Sequence, residues 1–110
     1  QAPAEMFTLG TGEMVRHVPL RDILFFETAS APHHVVLHTA SSQMDFLGSL
    51  NALEVQLGDS FVRTHRAYLV AADKIEAVDL KHSRLWTGGH ECLLSRAGKA
   101  ALRRKTGGSQ

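Results

Sequence analysis

The chain has 110 residues, 44% hydrophobic and 21% charged, a composition typical of a single soluble globular domain. These proportions exclude a disordered tail, a collagen-like fibre and a disulfide scaffold, and no apolar run approaches the ~20 residues that span a bilayer. The single Cys92 cannot form an internal disulfide, which favours a reducing, cytoplasmic setting.

Charge is divided unevenly along the chain, although the total is only +1. Residues 1–62 carry two basic and seven acidic side chains, a net charge of −5. Residues 63–110 carry ten basic and four acidic ones, a net charge of +6. A basic half favours an anionic partner such as nucleic acid, unless folding mixes the two halves on one surface.

Alternating apolar and polar residues predict short strands along most of the chain. The predicted strands cover residues 6–9, 13–18, 23–26, 35–37, 43–47, 61–62, 68–70, 75–80, 85–87 and 90–94. The turns Gly10-Thr11-Gly12 and Gly88-Gly89 predict tight hairpins, and Pro19 ends a strand because it lacks an N–H. Strands this short, with a turn every eight to twelve residues or so, indicate an all-β sandwich or barrel.

A change of hydrophobic period predicts one helix near residues 49–57. Leucines recur there at three- and four-residue spacing, which places them on one helix face: Leu47, Leu50, Leu53 and Leu57. Ser49 is expected to cap the start of this helix, and Gly58 stands where a glycine ends one.

The C-terminal part predicts a short basic helix from Ser95 to Arg104, followed by a frayed tail over residues 105–110. Residues 1–104 are expected to form one domain. Because the chain starts at Gln1 without a basic segment and an apolar h-region, we expect no signal peptide and a piece of a longer protein.

Seven histidines invite a metal-site or hydrolase interpretation, which their spacing does not favour. His34 and His38 share one strand face while His33 points to the other, and Cys92 has no partner cysteine for a zinc site. The chain contains no G-x-S-x-G elbow, no phosphate loop and no dinucleotide fingerprint. We therefore expect no enzymatic activity, no cofactor and no metal; a small His-dependent metal enzyme is the less favoured alternative.

Two basic clusters suit binding to DNA. Arg63-Thr64-His65-Arg66 lies between apolar runs, where Arg can read guanine and Thr or His can bond phosphate. Ser95-Arg96 begins the second cluster, in which free N–H groups at a helix start can hold a phosphate. Further cations of that cluster are Lys99, Arg103 and Arg104. The competing interpretations are an arginine paired with Asp59 or Asp73 and a solvated helix face.

From about Val18 to Leu102, the chain resembles the LytTR family, the DNA-binding domain at the C-terminus of many bacterial response regulators. The strongest stretch, Phe61 to Val70, is similar to the family's F-x-R-x-H-[RN]-S-[YF]-x-V-N signature. Supporting matches are Ile23 to Glu27, His33, Ser49-Leu50, Ile75 and Ser95-Arg96. Ala67 and Ala71 depart from the pattern, since the family has Ser and Asn there, so two local hydrogen bonds are not expected.

The resemblance implies a mainly β fold with about ten short strands in small antiparallel sheets, elongated and β-sandwich-like, and two short helices. It implies sequence-specific binding of double-stranded DNA through loops that enter successive major grooves, often at direct-repeat promoter sites. It also implies a cytoplasmic bacterial transcription regulator of a two-component system. A receiver domain would then precede the 110 residues, and dimerisation would occur through that missing domain or on DNA.

Carried over by position, the DNA-contacting loops fall at His33 and His34, at Arg63 to Arg66 and around Ser95-Arg96. The histidines at 33 and 34 are placed there by the resemblance alone. We expect Arg66 and His33 at base edges. Phosphate contacts are expected from Arg63, His65, Ser95, Arg96 and Lys99.

Two non-enzymatic alternatives remain. A protein-interaction module would dock a partner through exposed aromatic side chains, the candidates being Phe25, Phe26, Phe46 and Trp86. Burial in the core explains these aromatics more economically, because so small a domain must bury most of its large apolar side chains. An RNA-binding module would need aromatic pairs beside glycines on a strand, and the sequence lacks them.

Overall fold

Short antiparallel strands dominate the fold, as the sequence predicts. The computed structural model describes residues 5–106, and over this range ten strands form three sheets. The strands are β1 (Met6–Thr11), β2 (Met14–Pro19), β3 (Ile23–Thr28), β4 (His34–Thr39), β5 (Gln43–Leu47), β6 (Phe61–His65), β7 (Tyr68–Ala71), β8 (Ala77–Asp79), β9 (Arg84–Thr87) and β10 (His90–Leu93). The helices are α1 (Leu50–Leu57) and α2 (Arg96–Thr106).

A five-stranded sheet with the order β5-β4-β3-β7-β6 forms the central layer. The β1–β2 hairpin and α1 contribute to the core on one face, which includes Phe7, Val18, Phe26, Phe46, Leu53 and Leu69. The three-stranded sheet β10-β9-β8 and α2 contribute to the core on the other face, which includes Leu24, Phe25, Val70, Leu85, Cys92 and Leu102. The fold is therefore layered, with one apolar core on each side of the central sheet.

Strand β3 supplies side chains to both cores, which explains its continuous apolar run. Ile23 and Phe26 belong to the first core, and Leu24 and Phe25 belong to the second. A shift of register between Ile23 and Phe25 in the pairing with β4 accompanies this distribution. A strand buried on both faces needs no polar alternation.

Helix α1 begins and ends where its local signals place it. The Ser49 hydroxyl accepts a hydrogen bond from the Ala52 N–H at 3.1 Å, and Gly58 follows the helix with a φ of +67°. Leu50 and Leu53 are buried, as the stripe predicts. The prediction for Leu47 is wrong: it pairs with His34 at the end of β5 and is 73% exposed, because the sheet and not the helix determines its direction.

Two other boundaries differ from the predictions. The strand predicted over residues 75–80 is limited to β8, because a 3-10 turn, Ala72–Lys74, carries the chain away from the sheet before it. Helix α2 continues through Lys105 and Thr106, which corrects their assignment to a frayed tail; residues 107–110 lie outside the described residues. The Lys105 ammonium donates a hydrogen bond to the Asp59 carbonyl and lies 3.6 Å from its carboxylate, which anchors the last turn.

Helix α2 lies against β6 at very close range. The Ser95 N–H donates to the Thr64 carbonyl oxygen at 2.8 Å, just before the helix begins. One turn later, a Cβ placed on Gly98 would lie 1.8 Å from that same oxygen. Only glycine permits this approach, so the start of α2 has a fixed position relative to the end of β6.

Candidate nucleic-acid interface

Three turns that carry basic or imidazole side chains meet at one end of the five-stranded sheet. Strands β3 and β6 finish there and β4 and β7 begin there, as the pairing of Glu27 with Tyr68 requires. The Thr28 N–H donates to the Ala67 carbonyl at 3.1 Å, which joins the β3–β4 turn to the β6–β7 turn. The bond from Ser95 to Thr64 joins the start of α2 to β6. We call this region the loop end; it comprises residues 28–34, 65–68 and 95–96.

The β6–β7 turn is held by the guanidinium of Arg63. Its Nε donates to the His65 carbonyl at 3.1 Å and its Nη2 to the Arg66 carbonyl at 2.7 Å. Its Nη1 donates to the Asn51 side-chain oxygen and to the Glu54 carboxylate, both at 2.9 Å. Four of the five N–H donors are thus bonded inside the protein. These bonds, and the Glu54 carboxylate beside the guanidinium, leave little of Arg63 free for the direct phosphate contact predicted for it.

His65 has a defined tautomer in this turn. Its Nδ1 accepts a hydrogen bond from the Ala67 N–H at 3.1 Å, so the neutral ring carries its proton on Nε2. The ring packs edge-on against Tyr68, with centroids 5.9 Å apart, and is half-buried. Nε2 therefore has an N–H that can donate to a phosphate oxygen.

Arg66 occupies the tip of the turn and is exposed. Its carbonyl accepts the bond from Arg63, whereas its guanidinium makes no hydrogen bond or ion pair with any residue in the described range 5–106. The backbone of the turn is thus fixed while the side chain at its tip is available. This arrangement suits reading a base edge in a DNA groove.

The β3–β4 turn presents His33 in a left-handed backbone conformation, with a φ of +63°. The Gly48 N–H donates to the His33 carbonyl at 2.9 Å, and the imidazole is exposed. His34 differs, because its Nδ1 lies 2.5 Å from the Asp45 carboxylate. The structure therefore gives His34 an acidic partner and leaves the His33 ring without one among the described side chains.

The start of α2 uses Ser95 as its cap. The Ser95 hydroxyl accepts from the Gly98 N–H at 3.0 Å and donates to the Thr64 carbonyl at 3.3 Å, so its single proton is already engaged. Arg96 is exposed at the first helical position of α2, at the end of the helix where backbone N–H groups have no intrahelical acceptor. Lys99 lies one turn further along and lines an apolar cavity of about 300 Å³ together with Leu102.

A partly buried cluster of ionisable groups borders the loop end and includes Tyr68. His38 Nε2 is 2.6 Å from the Glu27 carboxylate, and its ring stacks on Phe25 with centroids 4.2 Å apart. Burial and the Glu27 charge raise the pKa of Tyr68. Burial, with a smaller contribution from Glu27, raises the pKa of the Cys92 thiol to about 12. A pKa this high keeps the thiol protonated near neutral pH, which disfavours reaction as a nucleophile.

The described structure offers little support for a metal enzyme or for a protein-docking module. Within residues 5–106, no group of three or more His, Cys, Asp or Glu side chains is placed to hold a metal ion. Phe25, Phe26 and Phe46 are buried in the cores, and Trp86 is half-buried. These aromatics do not form an exposed docking patch.

Within residues 5–106, no helix is long and apolar enough to cross a membrane.

Sequence reasoning did not identify Asn51 and Glu54 as part of this region. They lie on α1, and only the folded structure brings them to Arg63. A basic residue near the end of a strand and two polar residues three positions apart on a helix are weak signals by themselves. Their side chains meet because α1 starts at the same end of the sheet, directly after β5.

The sequence of this chain matches a known domain family and is similar to known regulator proteins. The model of the LytTr DNA-binding domain family matches residues 13–107. Accessory gene regulator protein A of Staphylococcus aureus strain N315 is 35% identical over 77 residues, which cover 70% of this chain and 32% of that protein. The protein of the same name from Staphylococcus epidermidis is 28% identical over 96 residues, which cover 86% of this chain and 40% of that protein. The chain thus spans about a third of the length of the first relative.

One solved structure has the same fold. It is described as the LytTr DNA-binding domain of a methyl-accepting/DNA response regulator from Bacillus cereus. It superposes with a TM-score of 0.76 at 23% identity, over 96% of this chain and 99% of that one. The family match covers most of this chain, including the loop end. The chain belongs to the LytTr DNA-binding domain family.

Proposed function

We propose that this chain binds double-stranded DNA with sequence preference, as the output domain of a bacterial transcription regulator in the cytoplasm. The observation that carries the proposal is the loop end. There, His33, Arg66 and Arg96 are exposed on three hydrogen-bonded turns, and none of these side chains is paired with a carboxylate in the described part of the chain.

The three turns would divide the work of recognition. Arg66 suits a bidentate contact with guanine in the major groove, and His33 suits a second base edge on the adjacent turn. Phosphate contacts would come from the Nε2–H of His65, from Arg96 and the N–H groups at the start of α2, and from Lys99 further along. His34 and Ser95 would contribute less to DNA binding. His34 is already bonded to Asp45, and the Ser95 hydroxyl already caps α2.

Affinity and specificity would have different sources. Neutralised phosphates release counterions and give a salt-dependent affinity that is common to all duplexes, while base contacts discriminate by about 1–3 kcal/mol each. One domain offers few base contacts, so tight binding would need two copies on direct-repeat sites. Dimerisation on DNA or through a further domain would raise the effective concentration of the second copy.

Selection of bound duplexes from a random pool tests the proposal. An enriched sequence is expected, followed by tighter binding of that duplex than of a scrambled duplex in fluorescence anisotropy titrations. The logarithm of affinity should fall linearly with the logarithm of salt concentration. A pool without enrichment, together with equal affinity for all duplexes, would remove sequence-specific binding as the function.

A further inference from the structure

Arg63 connects the tip of the β6–β7 turn to helix α1. Two of its bonds end on consecutive carbonyls of the turn, those of His65 and Arg66. Two others end on Asn51 and Glu54. Hydrogen bonds from a charged donor are stronger than neutral ones, and the planar guanidinium fixes the direction of each. The turn is therefore attached to a second element and does not depend on its own residues alone.

Both backbone polar groups of Ala67, the residue after Arg66, are also engaged. The Ala67 N–H donates to His65 Nδ1 at 3.1 Å, and the Ala67 carbonyl accepts from the Thr28 N–H at 3.1 Å. Only the side chain at position 66 lacks a protein partner in this described segment. A binding group that is already held in place loses less conformational entropy on association.

We propose that Arg63 is a positioning residue for DNA sequence recognition, with Asn51 and Glu54 as its anchors on α1. It holds the β6–β7 turn in the conformation that presents Arg66 and does not itself contact DNA. This proposal rests on the proposed function and assigns a part in it to side chains on α1, outside the loop end.

The surroundings of Arg63 distinguish this role from a phosphate contact. Its side chain is only 23% exposed, and the Glu54 carboxylate at 2.9 Å offsets its charge. A phosphate contact would need a free face of the guanidinium, as Arg66 has. Arg63 and Arg66 thus have different roles although they lie three positions apart in the chain.

Arg63→Lys tests the proposal, because lysine keeps the charge but cannot form four bonds in one plane. Affinity for the duplex selected from the random pool should fall about 10-fold, whereas affinity for a random duplex of the same length should stay within about 2-fold. The salt slope should not change. An equal loss on both duplexes in Arg63→Ala, with a slope smaller by about one, would show a direct phosphate contact instead.

The anchors provide a second test with a matched control. Glu54→Ala and Glu13→Ala each remove one exposed carboxylate, but only Glu54 contacts Arg63. Only Glu54→Ala should lower the ratio of selected-duplex to random-duplex affinity, by a few-fold on the scale of one charged hydrogen bond. Equal ratios in the two variants would overturn the assignment of the anchor.

Hydrogen exchange separates a failure of this proposal from a failure of DNA binding. The amides of Ala67 and Thr28 should exchange faster in Arg63→Lys than in the parent chain, while amides in the centre of β3 stay protected. Unchanged exchange at both amides would overturn the positioning role even if the selected duplex binds. A parent chain that selects no duplex would instead remove the proposed function.

Discussion

The β6–β7 and β3–β4 turns each present one exposed basic or imidazole side chain, but they are held in different ways. Around Arg66, a guanidinium from β6 bonds two carbonyls and reaches α1. Around His33, the bonds are between backbone groups, from Ala29 to His34, from His34 to Ala31 and from Gly48 to His33. A turn held by its own backbone tolerates side-chain substitution, whereas a turn held by one distant side chain depends on that side chain.

The largest effect is expected where the β6–β7 turn meets α2. Gly98→Ala would place a methyl group 1.8 Å from the Thr64 carbonyl oxygen, so α2 or β6 must move. The free energy of unfolding should fall by about 3 kcal/mol, measured by urea denaturation, and DNA binding should weaken. Gly10→Ala is the control, because its nearest atom, the Met14 carbonyl oxygen, is 3.8 Å away. A loss below about 1 kcal/mol at Gly98 would contradict the close contact.

Arg66→Ala should weaken binding of the selected duplex by about 2 kcal/mol and relax its sequence preference, without changing stability. The matched control is Arg21→Ala, which removes the same charge from an exposed position beside the start of β3, at the opposite end of the sheet. Anisotropy titrations of both variants compare the two ends directly. Equal losses would show that only the net charge matters and not the loop end.

His33→Gly tests the contribution of the β3–β4 turn. Glycine adopts a φ of +63° without the cost of a Cβ, so the variant should gain up to about 1 kcal/mol of stability. Binding of the selected duplex should nevertheless weaken by about 1 kcal/mol, because the imidazole is lost. Ser83→Gly, at a φ of 60°, should gain stability without affecting binding. Unchanged binding in His33→Gly would remove His33 from the interface.

The smallest effect concerns Thr64, at the base of the β6–β7 turn. Its hydroxyl is buried without a hydrogen-bond partner in the described structure, so Thr64→Val should raise the free energy of unfolding by about 1 kcal/mol. Thr87 is the matched control: it is equally buried, but its hydroxyl donates to the Lys74 carbonyl at 2.8 Å. Thr87→Val should lower stability by a similar amount. Changes of the same sign in both variants, measured by urea denaturation, would contradict this difference.

The parts of the fold that depend on local chemistry are predictable from the sequence. The limits of α1 follow from a capping serine and a glycine in the left-handed region, both of which act within one turn of the chain. The hairpin turns and the apolar run of β3 are likewise recognised from a few neighbouring residues. Leu47 shows the limit of this approach, because a residue between a strand and a helix fits both periodicities until the sheet is assembled.

The candidate site was predictable in its residue types but not in its division of roles. Arg63 and Arg66 look alike in the sequence, and a basic cluster gives no sign of which guanidinium turns inward. That depends on Asn51 and Glu54, which are brought close by the packing of α1. The contact of Gly98 with Thr64 is likewise tertiary, since a glycine inside a predicted helix indicates close approach without indicating to what.

The attachment of α2 at both of its ends has a consequence for solubility. Strand β6 is the last strand of its sheet, and such a strand exposes backbone groups that can pair with another molecule. The start of α2 is bonded to Thr64, near the end of β6. The last turn of α2 is bonded through Lys105 to Asp59, just before β6 begins. Helix α2 therefore covers the free edge of β6. A chain shortened before Ser95 would leave β6 uncovered, and we expect such a fragment to aggregate by edge-to-edge pairing even if its central sheet still forms.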